Sequence, residues 1–202
     1  MAEAACALSS GGLVVYPTET VYGIAADAGN AAAIERLLEL KGRDAGRGIS
    51  LLVASLESAA QLLAQPPPPA ARALVERFWP GPLTIVLPAA KHVAPALVGP
   101  GGGVGLRCSS DPVAAALVTA LGRAVTSTSA NPSGQPPART AEEARRYFRS
   151  GVDAFLDGGA RVDTTVSTVV EFLQSRAYLR RAGAIDAAAI AALAPLSEDS
   201  LG

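Results

Sequence analysis

Short apolar runs punctuated by proline and glycine alternate along the chain with stretches of helical periodicity. Leu13-Val14-Val15-Tyr16 is unbroken apolar and ends at Pro17, which predicts a buried strand. Ile34, Leu37 and Leu38 recur at helical spacing behind Asn30, a good N-cap, so a helix is predicted to about Leu40. The same reading predicts strands over 49–53, 83–87, 104–107 and 124–126. It predicts helices over 57–64 and 70–78, the second halted by Trp79-Pro80-Gly81-Pro82. Asp111-Pro112 joins an N-cap to a proline at the first helical position and opens a helix to about Leu121. Thr140 and Glu143 form a capping box for a helix through Phe148. Residues 166–172 and 176–179 pair as a predicted hairpin, and Asp186 caps a last alanine-rich helix. Strands and helices mix without strict alternation. The fold class is therefore α/β, an open mixed sheet flanked by helices, rather than a barrel or a regular doubly wound sheet.

At 202 residues the chain is long enough to bury a core without disulfide or metal staples, and it is expected to form one domain over 1–202. Half of its residues are hydrophobic and 17% are charged, which excludes a disordered chain. Seventeen basic residues face 18 acidic ones, a balance that disfavours tight non-specific binding to nucleic acid. His92 is the single histidine, expected at the surface, and Cys6 and Cys108 are the only cysteines. No zinc site of several Cys and His ligands is available, and no disulfide framework is evident. No apolar segment is long enough for a membrane span, and the start lacks a basic secretory leader, so a cytoplasmic protein is expected. Lys41 and Lys91 are the only lysines, which marks each as a compact point charge that arginine does not copy.

Several polar segments have the residue types to carry chemistry. Pro17-Thr18-Glu19-Thr20-Val21-Tyr22-Gly23 follows a strand, and Thr18 and Thr20 would share a side if that strand continued. Two β-branched residues extending a strand are the simpler reading of this segment alone. Lys41-Gly42-Arg43 either complements a helix C-terminus, worth about 0.3–1 kcal/mol, or clamps phosphate. Ser127-Thr128-Ser129-Ala130-Asn131-Pro132-Ser133-Gly134 is the richest polar loop and suits phosphate oxygens or a ribose, although Ser/Asn turns are common. Neither a Walker loop nor a Rossmann glycine fingerprint is present. Arg107, Ser167 and Arg181 sit at or in predicted strands, and each is weak evidence by itself.

Taken together, these segments resemble the YrdC-like family, best known for threonylcarbamoyl-AMP synthases. The strings that carry the resemblance are Tyr16-Pro-Thr-Glu-Thr-Val-Tyr-Gly23, Leu40-Lys-Gly-Arg43, Phe78-Trp-Pro-Gly-Pro-Leu-Thr84 and Val104-Gly-Leu-Arg107. They continue with Thr128-Ser-Ala-Asn-Pro-Ser-Gly134, Val166-Ser-Thr-Val-Val170 and Arg181-Ala-Gly-Ala-Ile185. The resemblance runs from about Leu8 to Ile185 and implies the short, single-domain form.

It implies an open twisted sheet with a positively charged concave face. It also implies a nucleotidyl transfer that joins L-threonine, bicarbonate or CO2 and ATP into threonylcarbamoyl-AMP and pyrophosphate. Downstream proteins then carry the threonylcarbamoyl group to tRNA for the t6A37 modification. Lys41, Arg43, Ser129 and Asn131 would form the nucleotide and catalytic cluster, with Ser133 and Arg181 assisting ATP. Thr18, Arg107, Ser127 and Ser167 would surround threonine or its carbamate, and Thr20, Tyr22 and Thr128 would be pocket walls. No tightly bound cofactor is implied, and Mg2+ would arrive with ATP. Weak RNA binding as a ribosome-maturation module, or nucleotide hydrolysis by a sister protein of the same fold, are the alternatives.

Two stretches depart from the family pattern. Asp44-Ala45-Gly46-Arg47-Gly48-Ile49 replaces a proline-containing run, which predicts a looser loop. Cys108-Ser109-Ser110-Asp111 stands where the family carries a proline and a histidine.

Overall fold

The computed structural model describes residues 1–42, 46, 48–162 and 165–197. Its strands form two sheets. The smaller is built on β1 (Val14–Tyr16), buried along its whole length as an unbroken apolar run requires. β2 (Gly23–Ala25) pairs antiparallel with it, and β8 (Ala154–Phe155) pairs parallel on its other side. β7 (Thr128–Ser129) extends the sheet beyond β2, giving the order β7-β2-β1-β8. The larger sheet has the order β10-β9-β4-β5-β3-β6. Its strands are β3 (Leu51–Leu52), β4 (Leu83–Pro88), β5 (Gly103–Arg107), β6 (Val125–Thr126), β9 (Thr168–Leu173) and β10 (Arg176–Arg181). Parallel and antiparallel pairs mix in it: β4 runs against β5 but along β9, and β3 runs along β5 but against β6. The mixed sheet read from the sequence is thus present, but divided in two.

Five of the helices lie where their local signals place them. α2 (Ala31–Lys41) starts at Asn30, whose side chain accepts the Ala33 N–H, and ends at Gly42 in the left-handed conformation. α4 (Pro112–Leu121), α5 (Ala141–Tyr147) and α6 (Ala187–Ala191) are capped by Asp111, Thr140 and Asp186 as predicted. α3 (Pro69–Phe78) begins on its own proline. α1 (Ala2–Ser9) was not predicted. It has no side-chain cap and forms because Ala4 and Leu8 bury themselves in the small core that includes Leu117 and Val118 of α4.

The helix expected over 57–64 is not formed. Ser55 and Ser58 exchange side-chain hydrogen bonds with each other's backbone N–H at 3.0 and 3.1 Å and tie that stretch into a turn. Only a single 3-10 turn, Ala60–Leu62, follows. Leu63 is then extended, bridging Ala89, and the Ala64 N–H goes to the Pro88 carbonyl. Cys6 and Cys108 are both free thiols, and His92 is exposed. Among the described residues, no helix is long and apolar enough to cross a membrane.

The two sheets meet at Ser127. β6 ends in the larger sheet and β7 begins in the smaller, with that one residue between them. Ala26 and Thr126 stitch the seam: the Ala26 N–H reaches Thr126 Oγ1 at 2.8 Å, and the Thr126 N–H reaches the Ala26 carbonyl at 2.9 Å. Tyr16 lies beneath it, fully buried, its hydroxyl donating to the Thr126 carbonyl at 3.3 Å. Burial pushes the Tyr16 phenol from its ordinary 10.0 up to about 12. The folded chain therefore keeps a proton that the unfolded chain releases. This contribution, about 2–3 kcal/mol, is fully present below pH 10 and is lost as pH rises toward 12. Tyr16→Phe should lose less stability than the wild type across that window in denaturant titrations. Parallel losses in the two proteins would contradict the assignment.

Candidate active site

The site lies along the seam, beyond the carboxyl ends of β1, β5, β6 and β10, where the chain leaves the sheets and side chains are free to face a ligand. After β1 the chain turns instead of continuing as a strand, so the alternation expected for Thr18 and Thr20 does not apply. The turn itself brings the hydroxyls together, 3.0 Å apart and buried. Thr18 Oγ1 donates to the Val21 carbonyl at 2.6 Å and accepts the Thr20 N–H at 3.2 Å. Its single hydrogen is thus used, and Thr20 Oγ1 donates to Thr18. Tyr22 is buried just beyond, its hydroxyl bonded to the Gly159 carbonyl at 2.9 Å and to Asp157 at 3.1 Å.

Arg107 closes β5 and is only 6% exposed. Its Nη2 lies 2.8 Å from Glu19 Oε1 and 3.3 Å from Thr20 Oγ1, and its Nε has no hydrogen-bond partner. Arg181, at the end of β10, reaches across to Ser167: Nε donates to the Ser167 carbonyl at 2.9 Å and Nη2 to Ser167 Oγ at 2.8 Å. Ser167 Oγ also lies 3.0 Å from Thr84 Oγ1. Burial of the guanidinium, then the neighbouring Arg107 charge, holds Arg181 below the ordinary arginine range. Two guanidinium groups facing one small space mark it as a site for anions.

The third wall is the segment 127–129, which runs out of the seam. Lys41, the last residue of α2, is buried behind it. Its ammonium donates to the carbonyls of Ser129 and Asn131, the second at 2.6 Å. In return the Lys41 carbonyl accepts the Ser133 N–H at 2.8 Å. Asn131 spends its amide nitrogen on the carbonyls of Pro132 and Gln135, while its Oδ1 is buried with no partner.

These walls enclose a cleft of about 410 Å3. Of the residues singled out in the sequence, Thr18, Thr20, Tyr22, Arg107, Ser127, Thr128, Ser129, Ser167 and Arg181 line it. Lys41 and Asn131 stand behind its wall, and Ser133 is exposed on the loop they hold. Arg43 lies outside the described residues, as do Asp44, Ala45 and Arg47 of the loop expected to be looser. Ser50, Thr84 and Val166 also line the cleft but were not singled out. Thr84 and Val166 lie in strings that carry the resemblance, whereas Ser50 had no local signal, since its place depends on Ser127 donating its N–H to the Ser50 carbonyl across the sheet.

The Sua5/YciO/YrdC family model, described as telomere recombination, matches residues 6–183. The chain belongs to this family. Among Sua5/YciO/YrdC relatives, the threonylcarbamoyl-AMP synthase of Halorhodospira halophila is 43% identical over 179 residues, covering 89% of this chain and 93% of that protein. The threonylcarbamoyl-AMP synthase of Thiobacillus denitrificans is 43% identical over 81% of this chain and 86% of its own length. A crystal structure of Pyrococcus abyssi Sua5 complexed with L-threonine superposes with a TM-score of 0.89 at 33% identity. It covers 99% of this chain, and the chain spans 57% of that longer protein. Escherichia coli YciO superposes with a TM-score of 0.80 at 26% identity, over 92% of this chain and 89% of its own.

Proposed function

We propose that this chain is an L-threonylcarbamoyladenylate synthase and makes threonylcarbamoyl-AMP for the t6A37 modification of tRNA. The observation that carries this reading is that Arg107 and Arg181 both line one hydroxyl-lined cleft beside the loop held by Lys41. The synthase names of the relatives and the L-threonine complex of Pyrococcus abyssi Sua5 support it. In the reaction, the threonine amine adds to CO2 and gives up a proton, or condenses with bicarbonate and releases water, to form a carbamate. A carbamate oxygen then attacks the α-phosphorus of ATP, and the α–β phosphoanhydride bond breaks to release pyrophosphate. The chain's part is to bind, orient and neutralise anions. Arg107 suits the amino-acid carboxylate, because its guanidinium fork matches two oxygens. The paired hydroxyls of Thr18 and Thr20, with Ser127 and Ser167, suit the threonine hydroxyl and the carbamate. Arg181 and the 129–133 loop suit the triphosphate, with Mg2+ entering as part of the nucleotide substrate. This arrangement supports a nucleotidyl transfer.

The test is direct. Purified protein given ATP, L-threonine and bicarbonate should release pyrophosphate only when threonine is present. No release, or the same release without threonine, would overturn the reading.

A further inference from the structure

A line of polar side chains runs from Arg107 away from the cleft. Glu19 does not line the cleft, although it sits between two threonines that do. Its Oε1 faces Arg107 Nη2 at 2.8 Å, and its Oε2 accepts a short hydrogen bond from Ser109 Oγ. Ser109, 3% exposed, has given its one hydrogen to Glu19 and accepts the Asp111 N–H at 3.2 Å. Asp111 in turn caps α4 through Oδ1 and pairs through Oδ2 with Arg161 at 2.8 Å. Ser109 and Asp111 both belong to the stretch 108–111 that follows Arg107.

We infer that Glu19 is a positioning residue for the amino-acid carboxylate: braced by Ser109, it fixes the Arg107 guanidinium from behind so that the cleft meets a pre-oriented cation. The inference rests on the synthase reading for the identity of that amino acid. A buried guanidinium without a countercharge would turn toward solvent, at a cost in alignment. With Glu19 in place, Nη2 forms an ion pair with Glu19 and donates to Thr20, and the buried Nε has no hydrogen-bond partner. An anchor that is already oriented loses less freedom on binding, so the effect belongs to threonine affinity and not to ATP.

The experiment titrates L-threonine by calorimetry into wild type, Glu19→Gln and Ser109→Ala, and measures both KM values in the pyrophosphate assay. Glu19→Gln, which keeps shape and removes charge, should weaken threonine binding and raise its KM about tenfold, with the KM for ATP held within about twofold. Ser109→Ala should move the same quantity in the same direction by about threefold. A purely structural role for Glu19 would move both substrates alike, and that result would overturn the inference, as would unchanged threonine affinity in Glu19→Gln. Wild-type protein that binds threonine without turnover would overturn the synthase reading while leaving Glu19 tested by calorimetry. Failure of the wild type to bind threonine at all would overturn both.

Discussion

Lys41→Ala should lower threonine-dependent pyrophosphate release about a thousandfold, the scale expected when a preorganised electrostatic element is removed. The reason lies in where the side chain goes. Lys41 is 3% exposed, and its ammonium holds the carbonyls of Ser129 and Asn131, while its own carbonyl holds the Ser133 N–H. The C-terminus of α2 and the 129–133 loop are therefore fixed to each other in both directions. Alanine leaves two carbonyls without their cation and empties the channel of the side chain, so the loop moves relative to Arg181. Stability should fall by about 3 kcal/mol as well. Lys41→Arg should not restore activity, because a planar fork does not fit the space of a compact ammonium. The check is pyrophosphate release against ATP concentration, with unfolding followed in parallel. Lys41→Ala retaining more than about a tenth of the wild-type rate would contradict this role for the loop.

The second large effect is expected at Gly183, two residues beyond Arg181. A Cβ there would lie 2.4 Å from the Val166 carbonyl oxygen and 2.5 Å from both the Ser167 carbonyl carbon and the Thr168 nitrogen. All three are backbone atoms, so no side chain can swing aside to relieve the overlap. The neighbouring Ala184 N–H bonds the Val166 carbonyl at 2.9 Å, which keeps the two segments pressed together. Gly183→Ala should therefore cost about 3 kcal/mol, lowering the unfolding midpoint by roughly 6–12 °C in a chain of this size. The shift separates Ser167 from Arg181, so threonine binding should weaken about tenfold with it. Thermal unfolding and threonine calorimetry check the two parts. An unfolding midpoint within about 2 °C of the wild type would show that the close approach is relaxed in solution.

The elements that were legible in the sequence are those whose cause is local. Asn30, Asp111, Thr140 and Asp186 cap the helices predicted for them, because a cap is a bond between a side chain and a backbone two or three residues away. β1 was legible because four apolar residues before a proline can hardly be anything but buried. The hairpin of β9 and β10 was legible from two neighbouring runs, although its turn, Gln174-Ser175, takes the left-handed conformation without a glycine. Elements with a distant cause were missed. α1 depends on α4, β2 and β7 each exist because a partner strand lies beside them, and residues 60–64 follow the edge at Pro88-Ala89.

The same division runs through the site. The sequence by itself determined the chemical inventory: few groups for metal or nucleophilic chemistry, a balanced charge, and hydroxyls, an amide and isolated cations in separate polar segments whose order identifies the family. Tertiary structure alone decided what those groups face. It divided the strands into two sheets, opened a cleft where the chain crosses between them, and brought Arg107 and Arg181 into its lining. It turned Lys41 onto backbone carbonyls and put Glu19 behind Arg107. The physical reason is sequence distance. Arg107 and Glu19 are 88 positions apart, and Lys41 and Asn131 are 90 apart. Local propensity carries no record of such pairs, which exist only once burial has closed the chain around them.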